Sequence, residues 1–247
     1  MPKTILMLAT FGIEIVEVGG TLALHAQAGD NVHAAVLLSR PESRPQVQEA
    51  AKILGIKSVR FLEFNYGEVM PDPPSKVRLV RVLRELRPDI VITQDPEHVT
   101  HDLDPDRRLA MLLYLESLAV SNRDWRIEEC GGFAPAPMPK IYYMWAERPN
   151  CVVDIGATFQ QKMRALKMLQ YQLGFTAHAL KERMGEKVLR DIVPNYDQHK
   201  DESALGWALH SEIERANAMY HGIVGHSGAG LAEAFRRDGV FKLDGLS

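Results

Sequence analysis

Residues 4–38, TILMLATFGIEIVEVGGTLALHAQAGDNVHAAVLL, decide the fold. Residues 4–9 (TILMLA) are a continuous apolar run, as in a strand buried on both faces. A helical pattern follows from Ile15 to Gly29, and Gly29-Asp30 is its stop signal. VHAAVLL (32–38) is a second apolar run of strand type. Strand, crossover helix and second strand make a unit whose strands run parallel.

The same alternation continues outward. Residues 45–55 predict a helix ending at Gly55, and SVRFLEF (58–64) a third strand. Residues 65–74 are a loop rich in Pro and Asp. Residues 75–86 form a basic amphipathic helix with Val77, Val80 and Leu83 at helical spacing, which reads as a solvated surface helix. Pro88 closes it, and DIVIT (89–93) is a fourth strand. This order predicts an α/β fold with a largely parallel sheet and helices on both faces. Ligands of such sheets sit at the carboxyl ends of the strands, so loops 9–14 and 94–108 are the places to look. The second half is less regular. It predicts helices over 107–120, 157–173 and 201–221, strands at 141–145 and 151–155, and a Gly/Pro-rich loop over 130–140. Residues 1–247 read as a single domain with a variable C-terminal half.

The chain has 247 residues, 46% apolar and 25% charged, with a net charge of −3. Without a basic excess, neither nucleic acid nor an anionic membrane is an expected partner. Two cysteines, Cys130 and Cys151, exclude a Cys-rich zinc site and argue against a disulfide scaffold. No stretch approaches the ~18 apolar residues of a membrane span. The apolar N-terminal run is short, continues into Glu14 and Glu17 and lacks a cleavage site, so the expected location is the cytoplasm.

Several segments in order resemble the LmbE/PIG-L family of zinc-dependent deacetylases. They are the first strand and loop followed by Gly19-Gly20-Thr21-Leu22-Ala23, the RPDIVIT strand (87–93), VVDIGATFQQKMRALKMLQYQ (152–172) and GLAEAFR (230–236). The Lys3-Thr4 opening and the ALHA run (23–26) lean towards a branch that includes a ring-fission-product hydratase. The resemblance implies a Rossmann-like three-layer fold, a homo-oligomer and an activity on N-acetyl groups.

The resemblance also implies a metal site that this chain does not carry. The family's first motif, A-H-P-D-D-E, aligns with Ala9-Thr10-Phe11-Gly12-Ile13-Glu14. Thr10 stands for a zinc-binding His, Gly12 for the general-base Asp and Ile13 for a zinc-binding Asp; Glu14 alone is kept. The second motif, H-x-D-H, aligns with Asp104-Pro105-Asp106-Arg107, where Arg107 replaces the third ligand. On the second helix the family's Arg and acid fall near Arg44 and Gln46. Zinc catalysis needs three protein ligands and an open position for water. Ile offers no lone pair, and the permanent charge of Arg repels the ion. No metal cofactor is therefore expected at the family position.

The loop EHVTHDLDPD (97–106) offers His98, His101, Asp102, Asp104 and Asp106, with Glu14 as a possible neighbour. One reading is a divalent metal such as zinc at a displaced site. The other is a polar loop, kept non-helical by Pro96 and Pro105, whose Asp residues cap the next helix. His25 and His33 read as structural, and GHSGAG (225–230) as a plain turn.

Two kinds of function remain. In an enzyme with a rebuilt site, Glu14, His98, His101 and Asp104 supply acid–base groups. Thr10, Gly12, Arg44 and Arg107 then contact a small, anionic substrate, in a hydrolytic or hydratase-type reaction. In a non-catalytic binding or partner subunit, Phe11 and Ile13 plug the old metal position.

Overall fold

In the computed structural model, which describes residues 1–239, the first apolar run forms β1 (Thr4–Phe11), with Ile5 to Thr10 all buried. β2 (Asn31–Leu38) and β4 (Ile90–Gln94) flank it in parallel. β3 (Ser58–Phe61) pairs with β2, and β5 (Lys140–Met144) with β4, again in parallel. β7 (Ala232–Arg237) runs antiparallel to β5 and to β6 (Cys151–Asp154). The seven strands lie in the order β3-β2-β1-β4-β5-β7-β6.

Helices cover both faces because β1 is apolar on both. Ile5, Met7 and Ala9 pack on one side, with α2 (Gly19–Gln27), α3 (Arg44–Leu54) and α7 (Phe159–Leu166). Leu6 and Leu8 pack on the other, with α4 (Pro73–Leu86) and α6 (Pro105–Ser121). Side chains alternate across a strand, so one run feeds two cores. The fold is the three-layer α/β architecture expected.

Four local expectations need correction. The helix expected from Ile15 to Gly29 is two, α1 (Glu14–Glu17) and α2, broken at Val18. The break frees the first N–H groups of α2, and Gly20 and Thr21 donate theirs to the Glu233 carboxylate at 3.0 and 2.8 Å. The helix expected over 157–173 is also two, α7 and α8 (Gln170–Met184); the second turns to pack on α10 (Glu202–Met219). The loop expected at Pro96 is a short helix, α5 (Pro96–Thr100). Asp95 caps it from Glu97 N at 2.8 Å, and a proline fits the first helical turn. Finally, α4 is half core: Leu79, Val80, Val82 and Leu83 are buried, and so is Arg84. The Arg84 guanidinium donates to the carbonyls of Ser121, Arg123 and Trp125 at 3.1, 2.6 and 2.9 Å. Between α8 and α10 lies α9 (Glu186–Ile192), and a π-helical turn (Tyr220–Val224) follows α10. Among the described residues no helix is long and apolar enough to cross a membrane.

Candidate functional site

The carboxyl ends of β1 and β4 meet the start of α6, as the strand order requires. Thr10 is fully buried there. Its hydroxyl lies 3.5 Å from Gln94 Oε1 and 3.5 Å from the Tyr114 hydroxyl. Gln94 Nε2 is buried with no partner. Ile13 is a core residue. Gly12 is required by a neighbour: a Cβ there would clash with Val47 Cγ2. The space an Asp side chain would need is filled from α3.

Glu14 is fully buried. Its carboxylate accepts the Phe11 N–H at 3.0 and 3.2 Å and faces Arg107 Nη1 at 3.5 Å. Burial pushes the Glu14 carboxyl up, and the Arg107 charge works against that rise. Arg107 also pairs with Asp102 at 3.4 Å and lies over the Phe11 ring, 5.1 Å from its centroid. Phe11 in turn stacks on Tyr66. Asp104 accepts the Asp106 N–H at 2.8 Å as the N-cap of α6. This donor set does not fit zinc: it offers one carboxylate already paired with a guanidinium, a hydroxyl in a polar knot, and an isoleucine. Among the described residues, no group of three or more His, Cys, Asp or Glu side chains is placed to hold a metal.

Of the candidates named from sequence, Glu14, Thr10, Gly12, Asp104 and Arg107 thus gather at the strand ends. His98 does not join them. Its Nδ1 pairs with Glu147 at 2.8 Å, and its ring stacks on Trp145 at 5.9 Å. His101 is exposed on the turn after α5. Arg44 is tied to Ser39 and Glu63 and lies over Phe61.

Beside the strand ends is a cavity of about 280 Å³. Its polar wall includes Glu17, His98, Glu147, Lys162, Glu214 and Glu233, with Asn217 and His221 beside them; Trp145, Met144, Val18 and several alanines supply the apolar wall. Lys162 and Glu214 are almost wholly buried. The Lys162 ammonium donates to Glu17 O at 2.6 Å, Glu214 at 2.7 Å and Glu233 at 2.8 Å. Burial pushes the Glu17 carboxyl up to about 8, aided by the charges of Glu14 and Glu214; Arg107 and the Trp145 indole oppose the rise. That indole N–H donates to Glu17 at 3.1 Å. Trp145 holds a left-handed backbone, φ +54°, at the turn after β5. Such strain costs on the order of 1–3 kcal/mol and collects at functional sites.

Sequence reasoning overlooked most of this wall. Glu17 lies three residues beyond Glu14 in the first motif. Lys162 and Glu233 fall in the family-like segments 152–172 and 230–236. A lysine buried in a helix and an acid in a strand were the available signals.

No family model matches the chain. Over 127 residues it is 28% identical to a diacetylchitobiose deacetylase from Thermococcus kodakarensis, a match covering 51% of the chain and 47% of that relative. The chain thus spans about half the length of the curated relative it matches. Among solved structures, an N,N'-diacetylchitobiose deacetylase from Pyrococcus horikoshii superposes with a TM-score of 0.73 at 21% identity, covering 95% of this chain and 83% of that one. A 4-carboxy-2-hydroxymuconate hydratase from Pseudomonas putida gives 0.70 at 19%, covering 99% and 100%. These structural likenesses speak for the fold alone.

Proposed function

We propose that this chain, an LmbE/PIG-L-like protein on a deacetylase-type scaffold, acts on a small molecule in the Glu17–His98 cavity by acid–base chemistry, without the family's zinc. The observation that carries this reading is the Glu14–Arg107 ion pair, whose Arg107 stands where the resemblance puts the third zinc ligand. A buried carboxylate already neutralised by a guanidinium is a poor metal ligand. The cavity supplies what acid–base chemistry needs. Glu17, raised to about 8, holds its proton in the empty site at neutral pH and gives it up when a substrate enters, as an acid does. Glu147 holds His98 Nδ1, which leaves Nε2 to act as the base. Hydrolysis of a C–N bond and addition of water to a double bond both use such a pair. An anionic substrate finds little support, because Arg107 is committed to Glu14 and Asp102.

The second reading, a ligand-binding or partner subunit without turnover, is favoured by the filled strand ends: Phe11 beneath Arg107, and Val47 in the space beside Gly12. A cytoplasmic location and a homo-oligomer complete the proposal. The two free cysteines support the first, and light scattering tests the second.

The test is metal content by plasma mass spectrometry on dialysed, tag-free protein, run beside turnover of N-acetylated sugars and unsaturated hydroxy acids with and without chelator. Zinc far below one equivalent and chelator-insensitive turnover that falls in Glu17→Gln and His98→Asn are expected. Stoichiometric zinc would overturn the metal-free reading. Absence of turnover with ligand binding retained would favour the binding subunit.

A further inference from the structure

The charge around the cavity is unevenly distributed. Among the described residues, Lys162 is the only Lys or Arg in its wall. An ammonium has three N–H donors, and those of Lys162 go to Glu17 O, Glu214 and Glu233. One positive charge therefore serves two buried carboxylates, and Lys162 has no N–H left for an incoming anion. Glu147 adds a further negative charge at the lip, beside His98. The lining also has an apolar part, made of Val18, Met144, Ala218, Ala232 and the Trp145 indole. Among the described residues, no three His, Cys, Asp or Glu side chains are placed to share a metal ion in this wall.

We infer that the cavity is a site for a small organic ammonium ion, its charge set towards Glu17, Glu214 and Glu147 and its hydrocarbon against Trp145 and the alanine wall. The inference deepens the proposed function and rests on the cavity being the functional site. Excess carboxylate attracts the charge. The indole face adds a cation–π contact, and the apolar wall accepts the body that an inorganic cation lacks. Binding also has a proton signature. The groups around Glu17 are Glu14 and Arg107 at the strand ends, Trp145 and Glu147 after β5, and His98 on α5. Lys162 on α7, Glu214 on α10, His221 on the π turn and Glu233 on β7 complete the set. A cation placed among them favours the ionised carboxylate, so Glu17 releases its proton as the ammonium enters.

Three probes of one shape separate the possibilities: benzylamine, benzyl alcohol and benzoate, titrated calorimetrically into the full chain near neutral pH. The expected result is benzylammonium binding at least about tenfold more tightly than benzyl alcohol, with benzoate weakest. Repeating the titration in buffers of different ionisation heat should show release of up to one proton. That release should vanish in Glu17→Gln. Glu147→Gln, at an exposed lip position, should weaken the amine several-fold without affecting the alcohol. Alcohol and amine binding equally would overturn the ammonium assignment and leave the cavity reading standing. If none of the three binds to folded protein, the cavity reading falls as well.

Discussion

Replacing Lys162 with methionine keeps the length and shape of the side chain and removes its charge. Glu214 and Glu233, 3% and 7% exposed, then face each other without a cation. The two do not suffer equally. Glu233 keeps the N–H groups of Gly20 and Thr21, whereas Glu214 loses its ion pair at 2.7 Å. Removing one partner of a buried pair costs about 3–5 kcal/mol. In a domain of this size that lowers Tm by about 10 °C. The loss should depend on pH. Burial already raises the Glu214 carboxyl, and losing Lys162 raises it further. A carboxyl raised in the folded state gives its full stability below the unfolded value and loses it as pH rises through the folded one. The deficit of Lys162→Met, read from urea and thermal unfolding, should thus be larger at about pH 7.5 than at about pH 5.5. Adding Glu214→Leu should recover more than half of it, because removing both partners of a buried pair is often neutral. A deficit below about 1 kcal/mol, or one independent of pH, would refute this account of the cluster.

Three further outcomes follow from the same geometry. Gly12→Asp alone should cost about 1–3 kcal/mol through the clash with Val47, and the double variant with Val47→Ala should recover most of it in thermal melts. Arg107→Met leaves Glu14 buried and unpaired; a loss of about 3 kcal/mol in denaturant titration is expected, and an unchanged midpoint would count against the ion pair. Glu17, ordinarily near 4.5, is raised to about 8, so the wild-type chain should lose stability as pH rises across that window. Glu17→Gln should flatten that slope, and parallel profiles for the two proteins would contradict the raised value.

The parallel half of the fold was legible because its signals are local. Apolar runs such as TILMLA and VHAAVLL, separated by a helical period, describe buried strands and crossovers without reference to the rest of the chain. The breaks were not legible, because their causes are distant. Val18 interrupts a helical pattern where Glu233, far along the chain, takes the N–H groups of Gly20 and Thr21. Arg84 sits in a pattern that reads as surface, and the carbonyls at the end of α6 and just beyond it make its burial tolerable. At the site, the motif comparison located Glu14 and Arg107 together. It passed over the cavity, whose walls come from α1, α5, the end of β5, α7, α10 and β7. Each residue alone has a bland local reading: Glu17 as a helix acid, Lys162 as a surface lysine.

The strand order has a consequence for how the chain folds. β7 lies between β5 and β6, and Cys151 finds its partner only at Phe235. As the chain emerges, the five parallel strands can assemble first, but β6 has no neighbour and β5 presents an open edge until β7 arrives. An open edge is a template for pairing with other chains. β7 also delivers Glu233 to Lys162 and Arg236 to Asp95. One late step thus closes the sheet, brings the second carboxylate to the buried lysine and completes the cavity wall. Chains cut before residue 232 should therefore self-associate, and they should lack the cavity whatever the state of their first half.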